Sequence, residues 1–255
     1  MICRQFANRM LQKEGIMEHL ETRVYEIPTD KLKKEERPLR ILLLADLHNR
    51  LWGAGQQQLL DAVDRFSADM VLCAGDMVLG RKHAGMEQAV RLFEGLSKRE
   101  LTVIAGNGNH ESRMRQRPEH YGTQYGSYTK QLKNLGVQIP VNETCRADYC
   151  SMPIYIHGYE MPLEYYKKFW VKPYNGKDLY QKLGRPKEKG FHILLAHNPV
   201  YFRHYARWGA DLTLAGHLHG GIIRLPGIGG LITPQAKLFP RYDRGLYERD
   251  GRYMA

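Results

Sequence analysis

A short apolar run stops at a glycine and is followed by two histidines in the stretch Leu212-Thr213-Leu214-Ala215-Gly216-His217-Leu218-His219-Gly220-Gly221. An apolar run of this length that ends at glycine is typical of a buried strand. Residues just past the carboxyl end of such a strand project into the crevice where open α/β sheets bind ligands. The two histidines therefore indicate either a metal site or a polar loop. Because alternating imidazoles on a regular strand cannot both face one small ion, the pair favours two neighbouring metals or an irregular loop.

Four upstream segments repeat this form, at residues 39–45, 69–74, 101–105 and 191–196. They end in Asp46-Leu47-His48, Gly75-Asp76, Gly106-Asn107-Gly108-Asn109-His110-Glu111 and His197-Asn198-Pro199, respectively. Helical spacing of apolar residues over 56–66 and 85–98 predicts helices that cover these strands. Each polar residue alone fits a helix cap, a turn or a satisfied core side chain. Together they predict one site where parallel strands converge.

The donor set of this site points to metal binding. Its candidate ligands are Asp46, His48, Asp76, Asn109, His197, His217 and His219. Oxygen and imidazole donors together suit zinc, iron or manganese. Seven donors are more than one such ion needs, whereas two ions about 3.5–4 Å apart that share a carboxylate would use them all.

In order and spacing these blocks resemble those of the calcineurin-like metallophosphoesterases, and the resemblance spans residues 39–221. Residues 220–226, 238–242 and 245–247 further resemble the bacterial branch typified by YkuE and YaeI. The resemblance implies an α/β fold of two mixed β-sheets packed face to face with flanking helices, a four-layer α/β/β/α sandwich. Residues 39–255 would form one metallophosphoesterase domain. Residues 1–38 would form an N-terminal extension, in which the alternating segment 22–27 predicts an edge strand.

The resemblance also implies cofactors and ligand roles. It implies two divalent or mixed-valence metal ions per chain, of manganese, iron or zinc. The first ion would be bound by Asp46, His48 and His219, and the second by Asn109, His197 and His217. Asp76 would bridge the two ions.

The implied reaction is hydrolysis of a phosphomonoester, phosphodiester or diphosphate bond by attack of a metal-activated hydroxide. His110 and Asp76 are the candidate catalytic residues. His110 would stabilise the charged transition state or protonate the leaving oxygen, and Glu111 would orient or tune His110. The sequence departs from the resemblance at Leu79, where many relatives have a second aspartate that supports the metal ligands. Asn107 is an alternative to Asn109 as the metal ligand if the loop register shifts.

Charge and loop composition bear on the substrate. The chain carries 38 Lys and Arg against 27 Asp and Glu, a formal net charge of +11, and such an excess attracts anions. Aromatic residues alternate with lysines in residues 161–173, a composition that fits a lipid surface, stacked bases or a cap on the core. We expect an anionic phosphate-ester substrate, with a lipid- or envelope-linked phosphate as the more specific hypothesis. The alternatives are a metal-dependent nuclease or nucleotide phosphodiesterase, and a catalytically silent metal-stabilised binding protein. No protein partner can be read from the sequence.

The cysteines and the amino terminus indicate the compartment. Cys3, Cys73, Cys145 and Cys150 do not have the number or spacing of a disulfide framework, so reduced thiols are expected, with a Cys145–Cys150 link as the alternative. Residues 1–15 lack the uninterrupted apolar core of a secretory signal or a membrane span. We therefore expect a cytoplasmic protein whose contact with a membrane is at most peripheral, at its inner face.

Overall fold

The structure of the protein is a computed structural model that describes residues 20–33, 36–167, 171–218, 242 and 244–255, and the backbone of residues 2–7, 223–225 and 229–232. Its strands form two large sheets and one hairpin. The hairpin pairs β10 (Ile223–Leu225) with β11 (Gly229–Ile232).

The first sheet has five strands in the order β2-β1-β3-β4-β5. They are β1 (Ile2–Ala7), β2 (Glu21–Glu26), β3 (Arg40–Leu44), β4 (Met70–Cys73) and β5 (Thr102–Ala105). β1 is antiparallel to β2, and the other neighbouring strands are parallel. The carboxyl ends of β3, β4 and β5 therefore share one edge of the sheet.

The second sheet has six strands in the order β12-β13-β9-β8-β7-β6. They are β6 (Glu143–Tyr149), β7 (Met152–Gly158), β8 (Phe191–Leu195), β9 (Leu212–Leu214), β12 (Tyr247–Arg249) and β13 (Arg252–Met254). β7, β8, β9 and β13 are parallel, and the strands at both edges are antiparallel to their neighbours. Both large sheets are thus mixed, as expected.

Seven helices lie in the described part of the chain. They are α1 (Gln57–Phe66), α2 (Glu87–Ser97), α3 (Asn109–Gln116), α4 (Pro118–Tyr121), α5 (Gln124–Asn134), α6 (Lys177–Leu183) and α7 (Phe202–Trp208). The helices predicted over 56–66 and 85–98 are confirmed as α1 and α2. Their apolar faces are buried because residues spaced three and four apart lie on one side of a helix.

The core forms in layers because the side chains of a strand alternate between its two faces. On β3, Ile41 and Leu43 pack against the second sheet, in one cluster with Ile193 and Leu195 of β8. Leu42 and Leu44 face the other way and pack against α1, α2 and α5. The far side of the second sheet packs against α6 and α7. The predicted four-layer α/β/β/α sandwich is therefore confirmed.

Strands β1 and β6, and the four strands after β9, were not predicted from the sequence. β1 inserts between β2 and β3, so that the predicted edge segment, β2, pairs with β1 and not with β3. β6 forms the other edge of the second sheet, and its alternating Cys145, Ala147 and Tyr149 pack on the inner core. The division of the chain at residue 38 stays a prediction.

The described cysteines are reduced, and the described helices are short or polar. Cys73, Cys145 and Cys150 are all free, so the alternative of a Cys145–Cys150 link is wrong. Within the described residues, no helix combines the length and the apolar character that a membrane crossing requires.

Two buried histidines are hydrogen-bonded to each other beneath α7. The Glu188 carbonyl can only accept, so His192 donates to it from Nε2 (2.9 Å). His192 Nδ1 then accepts from His157 Nε2 (3.0 Å), and His157 Nδ1 accepts from the Thr144 hydroxyl (2.8 Å). Burial and the proximity of His192 lower the pKa of His157 to about 3. The His157 ring is therefore neutral near pH 7.

This histidine pair predicts a loss of stability in weak acid. The folded-state pKa of His157 lies below its unfolded value, so the unfolded state binds more protons once the pH falls below about 6.5. Between pH 7 and pH 5 we expect the free energy of unfolding to fall by about 2 kcal/mol on account of His157. Urea unfolding at both pH values measures it. His157→Met should lose correspondingly less between pH 7 and pH 5, whereas His83→Asn, at an exposed histidine, should behave like the unchanged protein. An equal loss in His157→Met would contradict the assignment.

Candidate metal centre

The backbone turns sharply at the ends of the parallel strands. Asp46, His48, Asp76 and His217 all have left-handed backbone conformations, with φ of 55°, 51°, 53° and 70°. Non-glycine residues adopt this region rarely, and the associated cost of order 1–3 kcal/mol each is typically found at functional sites. The turns lie where the sequence predicts metal ligands.

Asp76 lies at the centre of the site. Its carboxylate is almost completely buried, at 1% exposure, and its Oδ2 lies 3.1 Å from His197 Nε2 and 3.7 Å from His110 Nε2. Its Oδ1 accepts a hydrogen bond from the backbone N–H of His110 (2.8 Å). Asp76 belongs to two groups of converging donor atoms, one with His48 and His110 and one with His197 and His217.

Asp46 lies beside the same groups. Its Oδ1 is 3.9 Å from His48 Nε2 and 3.7 Å from His197 Nε2. Both of its carboxylate oxygens also accept from the backbone N–H of His217 (3.1 and 2.9 Å). This contact ties the end of β3 to the end of β9, and so joins the two sheets at the site.

Backbone groups set the tautomers of two histidines. His197 Nδ1 donates to the Ala74 carbonyl (2.7 Å), so the lone pair of the neutral ring lies on Nε2, the atom that faces Asp46 and Asp76. His110 is arranged in the opposite sense, because its Nδ1 accepts from the backbone N–H of Gly80 (2.7 Å). The neutral His110 ring therefore carries its proton on Nε2. The neutral His197 ring therefore offers the lone pair of Nε2 to a metal ion, whereas the neutral His110 ring offers the N–H of Nε2 as a hydrogen-bond donor.

The electrostatics favour a positive charge between these groups. Burial opposes the charged form of His197, but the Asp76 carboxylate outweighs it and raises the pKa of His197 to about 9. Burial likewise opposes ionisation of Asp76, but His197 and the neighbouring histidines hold its pKa well below the usual range. A bound metal ion would supply the positive charge that the proton on His197 provides.

The side chain of Asn109 has an oxygen atom that is available to bind a metal ion. Its Oδ1 is buried and makes no hydrogen bond within the described part of the chain. A buried polar atom without a partner costs free energy, so it calls for a ligand or a function. Asn107 does not compete for this role, because its amide donates to Glu160 (2.8 Å) and to the Tyr125 hydroxyl (3.0 Å).

Glu111 supports the turn at Asp76. Its carboxylate accepts from the backbone N–H groups of Asp76 (2.9 Å), Met77 (2.8 Å), Val78 (3.2 Å) and, within its own loop, Gly108 (3.0 Å). Burial and the nearby Asp76 raise the pKa of Glu111 to about 7, and these N–H donors oppose that rise. This carboxylate therefore anchors the turn that carries Asp76 and leads to Leu79.

The sequence does not single out Tyr166 by itself. Its ring packs edge-on against His217, with centroids 4.9 Å apart, and at a tilt against His197, at 6.1 Å. Burial, followed by the neighbouring carboxylates of Asp76 and Glu160, raises the pKa of Tyr166 well above its ordinary value. The only sequence signal for it was the aromatic and basic composition of residues 161–173. Phe169 and Trp170 of that segment lie outside the described residues.

The remaining histidines lie away from the site or outside the described chain. His219, a predicted ligand, and His19 are outside the described residues. His83 and His120 are exposed, His204 is half-buried, and His157 and His192 form the buried pair beneath α7. Asp46, His48, Asp76, His110, His197 and His217 are brought together at one edge, and Asn109 begins α3 beside them.

Comparison with known proteins identifies the class. The calcineurin-like phosphoesterase family model matches residues 39–221, so the chain belongs to this family. Family membership supports a metal-dependent phosphohydrolase, and the candidate donors at Asp76 agree with it.

Individual relatives are distant. The uncharacterized protein YpbG of Bacillus subtilis is 26% identical over 211 residues, which is 81% of this chain and 70% of that protein. A zebrafish (Danio rerio) transmembrane protein with a metallophosphoesterase domain is 26% identical over 203 residues, 77% of this chain but only 44% of that protein. The crystal structure of a phosphopantetheinyl hydrolase from Mycobacterium tuberculosis aligns with a TM-score of 0.48 at 15% identity, covering 84% of this chain and 86% of that chain.

A steric prediction tests the packing of this centre. A Cβ at Gly216 would lie 2.7 Å from Asp46 Oδ2 and 3.1 Å from His197 Cε1, so Gly216→Ala must displace candidate ligands. We expect its affinity for manganese to fall by about tenfold or more, measured by titration of the metal-free protein. Gly126→Ala, in α5 with open space around it, should leave that affinity unchanged and raise the unfolding free energy by up to about 1 kcal/mol. Equal metal affinity in both variants would contradict the arrangement.

Proposed function

We propose that the chain is a metal-dependent phosphoesterase that hydrolyses a phosphomonoester, phosphodiester or diphosphate bond with the aid of two metal ions. The observation that carries the proposal is the buried Asp76 carboxylate, which belongs to two separate groups of donor atoms at one sheet edge. A shared carboxylate between two donor groups is the arrangement that a two-metal centre requires.

The ligand partition follows the same two groups. Asp46, His48 and His219 would hold one ion, and Asn109, His197 and His217 would hold the other, with Asp76 between them. His48 with Asp76 on one side, and His197 and His217 with Asp76 on the other, support this division. The mixture of carboxylate, amide and imidazole donors suits manganese, iron or zinc. When bound, such ions lower the pKa of a water molecule and neutralise charge on phosphoryl oxygens.

The role of His110 follows from its hydrogen bond to Gly80. An imidazolium would direct a second N–H at the Gly80 N–H, so this contact favours the neutral ring with its proton on Nε2. The same Nε2 lies 3.7 Å from Asp76, at the centre of the site. His110 thus donates a hydrogen bond to charge that develops on a phosphoryl or leaving oxygen. Of the two roles expected from the sequence, this favours transition-state stabilisation over full proton transfer.

The finer substrate proposal is a lipid- or envelope-linked phosphate. Its support is the net charge of +11 and the lysine-flanked aromatic residues of 161–173. An acidic membrane surface attracts such a protein electrostatically. We also propose that the chain belongs to the YkuE- and YaeI-like branch. The support is the resemblance of residues 220–226, 238–242 and 245–247 to that branch. No contact among the described residues favours a nuclease or a silent binding protein.

Metal content and hydrolysis test the proposal together. We expect about two metal ions per purified chain, and manganese-dependent hydrolysis of bis(p-nitrophenyl) phosphate or p-nitrophenyl phosphate that a chelator abolishes. Asp76→Asn should lose both metal and turnover. His110→Ala should keep its metal and lose turnover by about 10²-fold to 10³-fold, the usual effect of removing one transition-state donor.

His83→Asn is the matched control, because His83 is exposed and its φ of 59° suits asparagine. This variant should match the unchanged protein in metal content and turnover. Absence of tightly bound metal and of turnover with manganese, iron and zinc would contradict the proposed function. Full turnover in His110→Ala would contradict only the role of His110.

A further inference from the structure

A short 3₁₀ turn, Leu163–Tyr166, brings a tyrosine to the edge of the candidate centre. The Tyr166 ring contacts the rings of His217 and His197, which belong to the second donor group of Asp76. His110 belongs to the first group. His110 and Tyr166 are thus associated with different donor groups of Asp76.

The turn is held in place independently of any ligand. The ring of Tyr165 packs edge-on against Tyr174 (5.2 Å) and Tyr201 (5.5 Å) in the apolar cluster beneath it. The Tyr165 carbonyl accepts from the Asn198 side chain (3.1 Å), one residue after the ligand candidate His197. These contacts fix the backbone next to Tyr166, so its ring position is set by the fold.

The hydroxyl of Tyr166 differs from those of its neighbours in the cluster. Tyr201 donates to the Lys172 carbonyl (3.0 Å), and Tyr205 donates to the Asn198 carbonyl (2.9 Å). The Tyr166 hydroxyl makes no hydrogen bond with the described residues, and the side chain is half-buried. The half-buried position leaves this hydroxyl open to the surroundings, so its O–H is available to donate to a bound molecule.

We propose that Tyr166 is a substrate-contacting residue whose hydroxyl donates a hydrogen bond to a non-bridging oxygen of the phosphoryl group. The proposal rests on the proposed function, since it takes a phosphate ester as the bound molecule. A phenol is neutral near pH 7 and can donate without a change of charge. Hydrogen bonds to anionic oxygens are stronger than those between neutral groups. Tyr166 on the side of His217 and His110 on the side of His48 would thus hold the phosphoryl group from two directions.

A purely positioning role is the competing explanation, because the ring also packs against His217 and His197. The two roles separate by substitution. Tyr166→Phe removes only the hydroxyl and keeps the ring contacts. Tyr166→Leu removes the hydroxyl together with the ring. A positioning role requires phenylalanine to restore function, whereas a substrate contact requires the hydroxyl.

The experiment compares these variants of the full chain after loading with manganese. It measures metal content, the binding of inorganic phosphate by calorimetry, and hydrolysis of p-nitrophenyl phosphate and bis(p-nitrophenyl) phosphate. We expect Tyr166→Phe to keep its metal, bind phosphate about tenfold more weakly and lose about tenfold to hundredfold in kcat/KM. Tyr180→Phe, which loses a hydroxyl directed to the Arg207 carbonyl on the same apolar cluster, is the matched control and should change neither quantity.

The proposal would be overturned if Tyr166→Phe had the phosphate affinity and the kcat/KM of the unchanged protein. In that case, a loss of metal in Tyr166→Leu alone would identify Tyr166 as a positioning residue. If the unchanged protein binds phosphate but does not hydrolyse either ester, the proposed function fails. Weaker phosphate binding in Tyr166→Phe would still support the contact in that case. If the metal-loaded protein neither binds phosphate nor hydrolyses either ester, both proposals are overturned.

Discussion

The arrangement of this protein depends on one buried carboxylate. Asp76 is 1% exposed, and within the described residues no lysine or arginine neutralises it. An isolated carboxylate would be very costly there, so its charge has to be balanced by histidines, by backbone N–H groups and by a cation. The fold meets this requirement with the imidazoles of His197 and His110 and the N–H of His110. The two donor groups around Asp76 are the result, and the proposed chemistry follows from them.

The two sheets are needed to bring those groups together. The turn that carries Asp76 follows β4 in the first sheet, whereas His197 and His217 follow β8 and β9 in the second. The His197 bond to the Ala74 carbonyl and the Asp46 bonds to the His217 N–H cross between the sheets at this edge. Gly216 allows the approach, since a Cβ there would collide with Asp46 and His197. Left-handed turns at Asp46, His48, Asp76 and His217 cost free energy, and the packed layers below them supply the stability that offsets it.

Much of the fold could be predicted because buried parallel strands have a strong sequence signal. The apolar runs that became β3, β4, β5, β8 and β9 each end in a polar residue of the site. β1 could not be recognised in this way, because Arg4 and Gln5 interrupt its apolar pattern and its strand character depends on pairing with β2 and β3. β6 does carry a sequence signal, because Cys145, Ala147 and Tyr149 alternate with polar residues and pack on the inner core.

The site was predictable in its residue types but not in its supporting contacts. The role of Glu111 depends on where the backbone of Met77 and Val78 lies, and the tautomer of His110 depends on Gly80, which is 30 residues away in sequence. Such contacts become visible only once the loops are placed in three dimensions. The same holds for Tyr166, whose approach to His217 is set by the aromatic packing of the preceding residue.

The most direct test of the central claim is a crystal structure of the manganese-loaded protein with an anomalous difference map collected at the manganese absorption edge. The account predicts two anomalous peaks on either side of the Asp76 carboxylate, one beside His48 and Asp46 and the other beside His197, His217 and Asn109. Peaks that lie away from Asp76, or a manganese-loaded crystal without a peak at this edge of the sheets, would contradict it.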